Sequence, residues 1–210
     1  LDKASIKLVE IPLNNSSFLI MVTGVGVFLE EIALKKLVTI TSGGNDVGYI
    51  GDLMAASGNM GWLGAWWHGD IKSADARPYD VVTDNLSAII TSFRQTAPSA
   101  QILIVNYPAI IPPIGSCAAL GISKAQAAIS RDLAQQLALA TKRAADDSGA
   151  ELVDIANASV GHDVCSNVPW VNGASVQTGT AFHPNAVGAA ATADAVVKAY
   201  SMRATNGPAS

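Results

Sequence analysis

Four short apolar segments, each of strand length and apolar throughout, constrain this chain more than any other feature. They are Phe18–Thr23, Leu37–Thr41, Gln101–Asn106 and Glu151–Ile155. A strand that is apolar on both faces needs cover on both faces, the signature of a parallel sheet between layers of helix. The segments between them have helical spacing. Val82, Leu86, Ile89, Ile90 and Phe93 share one face of a helix predicted over Tyr79–Thr96, closed by Pro98. Ile129, Leu133, Leu137 and Ala140 share a face over Ser123–Ser148. There Ser123 can cap, Gln126 completes a capping box, and Gly149 ends the helix. Phe28–Leu37 predicts a short helix, acidic early and basic late, and Pro184–Met202 an alanine-rich terminal one. This alternation predicts an α/β fold, a three-layer α/β/α sandwich with a central parallel sheet. No repeat or linker divides residues 1–210, so a single domain is expected.

Composition narrows the function. Half of the 210 residues are apolar, 14% are charged, and the formal net charge is -4. That balance argues against disorder and gives no electrostatic footprint for nucleic acid. A small neutral or apolar substrate suits it better than a polyanion. The longest apolar run, Phe18 to Leu29, is too short to span a bilayer, so no stable membrane insertion is expected. It could serve as the core of a signal peptide. No A-x-A site follows it, and Glu30 and Glu31 come at once, so it reads as a buried strand running into a turn. Gly48 to Arg77 is glycine-rich and carries Trp62, Trp66 and Trp67; it reads as a long irregular loop of functional kind. Cys117 and Cys165 permit one disulfide without requiring it. No Cys or His cluster has metal-ligand spacing, and no cofactor fingerprint is present, so neither metal nor cofactor is expected. Gly24-Val-Gly26 follows an apolar strand, but Leu29 stands where a dinucleotide fingerprint needs its third glycine.

Parallel sheets place their sites at the carboxyl ends of strands. Asn45 follows Gly43-Gly44 at such an end. Its amide can donate to a developing oxyanion, and its glycines allow close backbone approach. The same four residues also make an ordinary turn. His183, before Pro184, could take a proton from a nucleophile and return it to a leaving group, or simply pack at the start of a helix. Gly-Gly-Asn-Asp after a β-branched strand, with Phe182-His-Pro-Asn185 opening the last helix, resembles the SGNH hydrolase superfamily of GDSL-type esterases and lipases. The resemblance is to its secreted lipase-like subgroup and runs from Leu37 onward. It takes in Ala97-Pro-Ser-Ala, Asn106-Tyr-Pro108, Val153-Asp154, Gly161-His-Asp-Val-Cys165 and Pro169-Trp170.

The resemblance implies a flavodoxin-like SGNH fold and a carboxylic ester hydrolase acting on short or medium acyl chains. Asn45 would be an oxyanion-hole donor with the Gly44 amide beside it, and His183 the general base and then acid. The Cys117–Cys165 pair would be a disulfide clamping loops, in a secreted or otherwise extracytoplasmic protein. His162 would be structural. Two departures stand out. The family's acid three residues before its histidine is Thr180 here, whose backbone carbonyl could orient the ring instead. No Gly-Asp-Ser occurs, and residues 1–30 look atypical or truncated. Ser42, beside the Asn45 turn, is the candidate nucleophile; Thr23 ends the first strand at the right end, and Ser16 and Ser17 begin it at the wrong one. Direct attack by water, or an impaired protein that binds a small ligand without turnover, are the alternatives. A first strand in doubt could leave an unpaired sheet edge, where a second copy could pair as a homo-oligomer.

Overall fold

The structure, a computed structural model, describes residues 10–13, 17–22, 37–58, 71–176 and 179–206. Thr23, Ser16, the helix expected over Phe28–Leu37 and the three loop tryptophans lie outside these, apart from Leu37.

Five strands form one sheet in sequence order: β1 Glu10–Leu13, β2 Ser17–Val22, β3 Leu37–Ile40, β4 Gln101–Val105 and β5 Glu151–Val153. From β2 to β5 every pairing is parallel, as the apolar segments predict. The register aligns Val22 with Ile40, Ile40 with Ile104, and Val105 with Val153. The carboxyl ends therefore form one edge. β1 is an addition to the expected picture: it runs antiparallel along the outer edge of β2. Its Pro12 lacks an N–H, which an edge strand tolerates.

Five α-helices accompany the strands among the described residues: α1 Tyr49–Ala56, α2 Tyr79–Thr96, α3 Lys124–Ser148, α4 Ile155–Ala158 and α5 Ala186–Asn206. α2 and α3 pack together on one sheet face. This follows from two successive crossovers that move the same way across the sheet, because right-handed connections then fall on one side. Val38 and Ile40 of β3, with Ile102 and Ile104 of β4, bury into this layer alongside Leu86, Ile90, Leu133 and Leu137. Leu37, Leu103, Val105 and Val153 point the other way, towards Val196 and Ala199 of α5. Alternate residues thus feed two cores, and the three-layer sandwich is observed. Ser123 caps α3 in a reciprocal capping box with Gln126, and Gly149 ends it in a left-handed conformation.

One expectation needs correction. The stretch from Gly48 is not irregular throughout, since α1 occupies its first part. Tyr49 and Leu53 are buried on that helix, and Arg77 binds Asp52 to hold the chain that leads into α2.

Candidate active site

The loop after β3 is a tight turn. Tyr49 N–H donates to the Gly44 carbonyl at 2.8 Å and Gly48 N–H to that of Asn45 at 3.0 Å, so the chain enters α1 within a few residues. Gly43 has φ +99, and a Cβ there would lie 2.6 Å from the Val82 side chain on α2. A Cβ on Gly44 would lie 2.8 Å from the Tyr107 ring. The glycines thus let the turn sit directly on α2 and on Tyr107. Asn45 is left at the apex with its side chain in solvent. The Gly44 N–H, the other expected oxyanion donor, meets the Tyr107 hydroxyl at 3.2 Å. Ser42, half-buried, leads into the turn from the strand end, and Ser17 begins β2 at the opposite end of the sheet.

Tyr107 follows β4 and packs edge-on against Tyr49, ring centroids 6.2 Å apart. Burial pushes its hydroxyl above the usual phenol range, opposed by the Gly44 N–H and reinforced by Asp46. Asn106 beside it is buried. Its amide donates to Asp154 at 2.7 Å and its oxygen accepts from the Ala156 N–H at 2.8 Å, tying the ends of β4 and β5 together. The loops beyond these strands are laced further. A disulfide joins Cys117 to Cys165, Val164 N–H donates to the Ile110 carbonyl at 3.1 Å, and Ala174 N–H to that of Ala119 at 2.8 Å.

His183 lies on the loop that enters α5, with its ring exposed. Its Nδ1 meets the carbonyl of Ala181 at 2.8 Å. A carbonyl only accepts, so Nδ1 carries the proton and Nε2 keeps its lone pair in the neutral ring. The orienting carbonyl is therefore that of Ala181, not Thr180. The Thr180 carbonyl instead accepts the His183 main-chain N–H at 3.3 Å and the Asn172 side-chain amide at 3.1 Å. The residue between, Phe182, has φ 57 and a fully buried side chain. That left-handed turn rotates successive carbonyls and brings Ala181's to the ring. No carboxylate among the described residues pairs with His183.

Asn45 and His183 stand on separate loops, but their neighbours share one core. Val47 and Tyr49 beyond Asn45, and Ala181 and Phe182 before His183, belong to the same buried cluster. The fold thus seats both loops on one hydrophobic base. A largely apolar cleft of about 520 Å3 runs between α3 and the loops after β4 and β5, bounded by Tyr107, Ile110, Leu137, Ala138 and Val160. Neither Asn45 nor His183 lines it; Tyr107 is its link to the Asn45 turn.

Two residues acquire positions that sequence alone did not give them. Tyr107 is one, and its place directly after an apolar strand was the available signal. The other is Trp170, which the resemblance took in with Pro169 but without a role, and which stacks on His162.

Known proteins share this fold. The chain is 33% identical over 155 residues to a lipase of Streptomyces rimosus, and 30% identical over 166 residues to lipase 2 of Streptomyces coelicolor. Each alignment covers 72% of this chain and 55% of the relative, so the chain spans little more than half the length of these relatives. Its fold is similar to that of the extracellular lipase of Streptomyces rimosus, with a TM-score of 0.62 and 25% identity over 80% of this chain and 70% of that one. A phospholipase A1 from Streptomyces albidoflavus has the same fold at a TM-score of 0.62, 24% identity and the same coverage. Residues 19–191 match the GDSL-like Lipase/Acylhydrolase family, a span that begins inside β2, within the stretch expected to be atypical. With β2 to β5, the Asn45 turn and the His183 loop all inside that span, the chain belongs to the GDSL-like lipase/acylhydrolase family of SGNH hydrolases.

Proposed function

We propose that this chain hydrolyses carboxylic esters, with His183 as general base and acid and Asn45 as the oxyanion donor. The observation that carries this reading is the Ala181 carbonyl on His183 Nδ1, which leaves Nε2 as a free base. In the first step Nε2 accepts the proton of a hydroxyl as its oxygen attacks the ester carbonyl. We place Ser42 in that role. The Asn45 amide donates to the oxyanion that forms. As the tetrahedral species collapses, the alcohol leaves with the proton from Nε2–H. Water then attacks the acyl group by the same route and restores the hydroxyl. A carbonyl in place of the usual acid fixes the tautomer but adds no full charge to stabilise the imidazolium. A rate below that of an acid-bearing site is the consequence. The disulfide suits an oxidising, extracytoplasmic setting, and the lipases it resembles include one named extracellular.

An aryl-ester assay combined with fluorophosphonate labelling and peptide mapping tests this. His183→Ala is expected to lose about 10²–10⁴-fold in turnover. Its melting temperature should stay unchanged, because the ring is exposed. Labelling of Ser42, abolished in His183→Ala, is the expected result. A label on another hydroxyl would reassign the nucleophile, and turnover without a label would replace it by water. Folded protein without turnover would overturn the hydrolase reading in favour of ligand binding alone.

A further inference from the structure

Trp170 stands between His162 and the His183 loop. On one side its indole lies flat on the His162 imidazole, with ring centroids 4.5 Å apart and planes 13° from parallel. Its main-chain N–H donates to the His162 carbonyl at 2.8 Å. The His162 ring is fixed in turn, because its Nδ1–H donates to the Val168 carbonyl at 2.8 Å. On the other side the Trp170 carbonyl accepts the Asn185 N–H at 2.9 Å, and the Pro169 carbonyl accepts the Asn185 side-chain amide at 2.7 Å. Val171 pairs with Pro184 in an isolated antiparallel bridge. Asn172 N–H donates to the His183 carbonyl at 2.9 Å, and the Asn172 carbonyl accepts the Phe182 N–H at 3.2 Å. Gly188, in the first turn of α5, has no room for a Cβ because the Trp170 backbone lies against it.

The main chain from Phe182 to Asn185 is therefore bonded to the strap from Pro169 to Asn172. Among the described residues the His183 ring has one hydrogen bond, and the residue is exposed. A side chain held so lightly takes its position from its backbone, and here the backbone takes its position from the strap. The strap is anchored by Val171, which is buried in the main core, by the Ala174 N–H on the Ala119 carbonyl just beyond it, and at Trp170 by the stack on His162. We propose that Trp170, braced by His162, is a positioning residue for His183, keeping the Ala181 carbonyl on Nδ1 and Nε2 directed outward as a base. Phe182 alone does not achieve this. It sets the direction of the turn, while the strap sets where His183 stands.

The proposal rests on His183 acting as the base, but it can be read without turnover. Ring-nitrogen NMR of the 15N-labelled chain at mildly alkaline pH reports the tautomer of each histidine. The wild-type His183 ring should show the Nδ1–H form. Trp170→Ala should convert it to the Nε2–H-rich mixture of a free imidazole and lower kcat about tenfold, with KM within about twofold. Trp170→Phe keeps an aromatic face on His162 and should restore both. If Trp170→Ala does not fold, His162→Ala removes the brace from the other side of the stack and should give the same shift. An unchanged Nδ1–H tautomer in the folded alanine variant overturns the proposal. A shifted tautomer in a chain that never turns over esters supports it, and sinks only the assignment of His183 as base.

Discussion

Gly44 is where a single methyl group decides the geometry of the Asn45 turn. Its conformation lies outside the left-handed region, so an alanine there is not strained by the backbone. The obstacle is the Tyr107 ring, 2.8 Å from where a Cβ would stand, and Tyr107 is half-buried and packs edge-on against Tyr49. Gly44→Ala should therefore cost about 1–3 kcal/mol by overpacking and also displace Asn45. Trimming the ring should relieve most of that. In a double-mutant cycle with Tyr107→Ala, urea denaturation is expected to show a coupling of more than about 0.5 kcal/mol. Additive costs would mean that the ring yields freely and the turn is positioned by other contacts. Phe182 shows the opposite balance. Its left-handed backbone costs roughly 1–2 kcal/mol for a residue with a Cβ. Its side chain, 1% exposed, offsets this by burial in the core, where a large aromatic contributes about 3 kcal/mol. A strained residue next to a candidate base is a known way of holding a reactive group in place.

At the scale of elements, the candidate site depends on loops, and the loops depend on cross-links. The disulfide closes a segment of 48 residues that contains the whole of α3 and β5. Constraint of the unfolded chain by a loop of that length is worth about 4 kcal/mol. Urea denaturation with and without reductant, or of a Cys117→Ser/Cys165→Ser variant, should show a loss of about 2–4 kcal/mol. A loss under about 1 kcal/mol would mean that the hydrogen bonds from Ala109, Val164 and Ala174 hold these loops unaided. The elements were legible in sequence in proportion to their caps and length. α3 carries a capping box, a terminal glycine and a long apolar stripe, and its bounds follow from these. α1 has none of them: it has eight residues, starts at Gly48 with no side-chain cap, and sits in a glycine-rich stretch. β1 has four residues, one of them proline, and gains its hydrogen bonds only by pairing with β2. The candidate site divides in the same way. Asn45 and His183 carry side-chain patterns that can be read from sequence. Which carbonyl meets the His183 ring is set by the φ of Phe182, and which aromatic stands beside its loop is set by the way the loop from His162 to Trp170 folds back on itself. Neither leaves a periodic trace.

For the whole molecule, the carboxyl edge of the sheet carries the Asn45 turn and Tyr107, and the same edge sets an alkaline limit to stability. Tyr49 and Tyr107 are packed together there beneath the Asn45 turn, and burial pushes both hydroxyls above the ordinary phenol range. In the unfolded chain both would ionise near pH 10. Below that pH the two states bind the same protons, and these tyrosines give stability no pH dependence. Above it the unfolded chain loses protons that the folded chain still holds, so stability falls as pH rises. The slope approaches about 1.4 kcal/mol per pH unit for each tyrosine, until the folded state titrates as well. Urea denaturation across pH 8 to about 11.5 should thus show a plateau, then a decline that begins near pH 10. Tyr49→Phe should lower that slope, whatever its effect on stability at neutral pH, because it removes one of the three tyrosines, with Tyr79 and Tyr107, whose hydroxyls burial pushes up. Tyr107→Phe should do the same, and would also free the Gly44 amide from its present partner. An unaltered slope in both variants would place the alkaline loss elsewhere in the fold, and would mean that the aromatic pair under the turn opens to solvent before the protein unfolds.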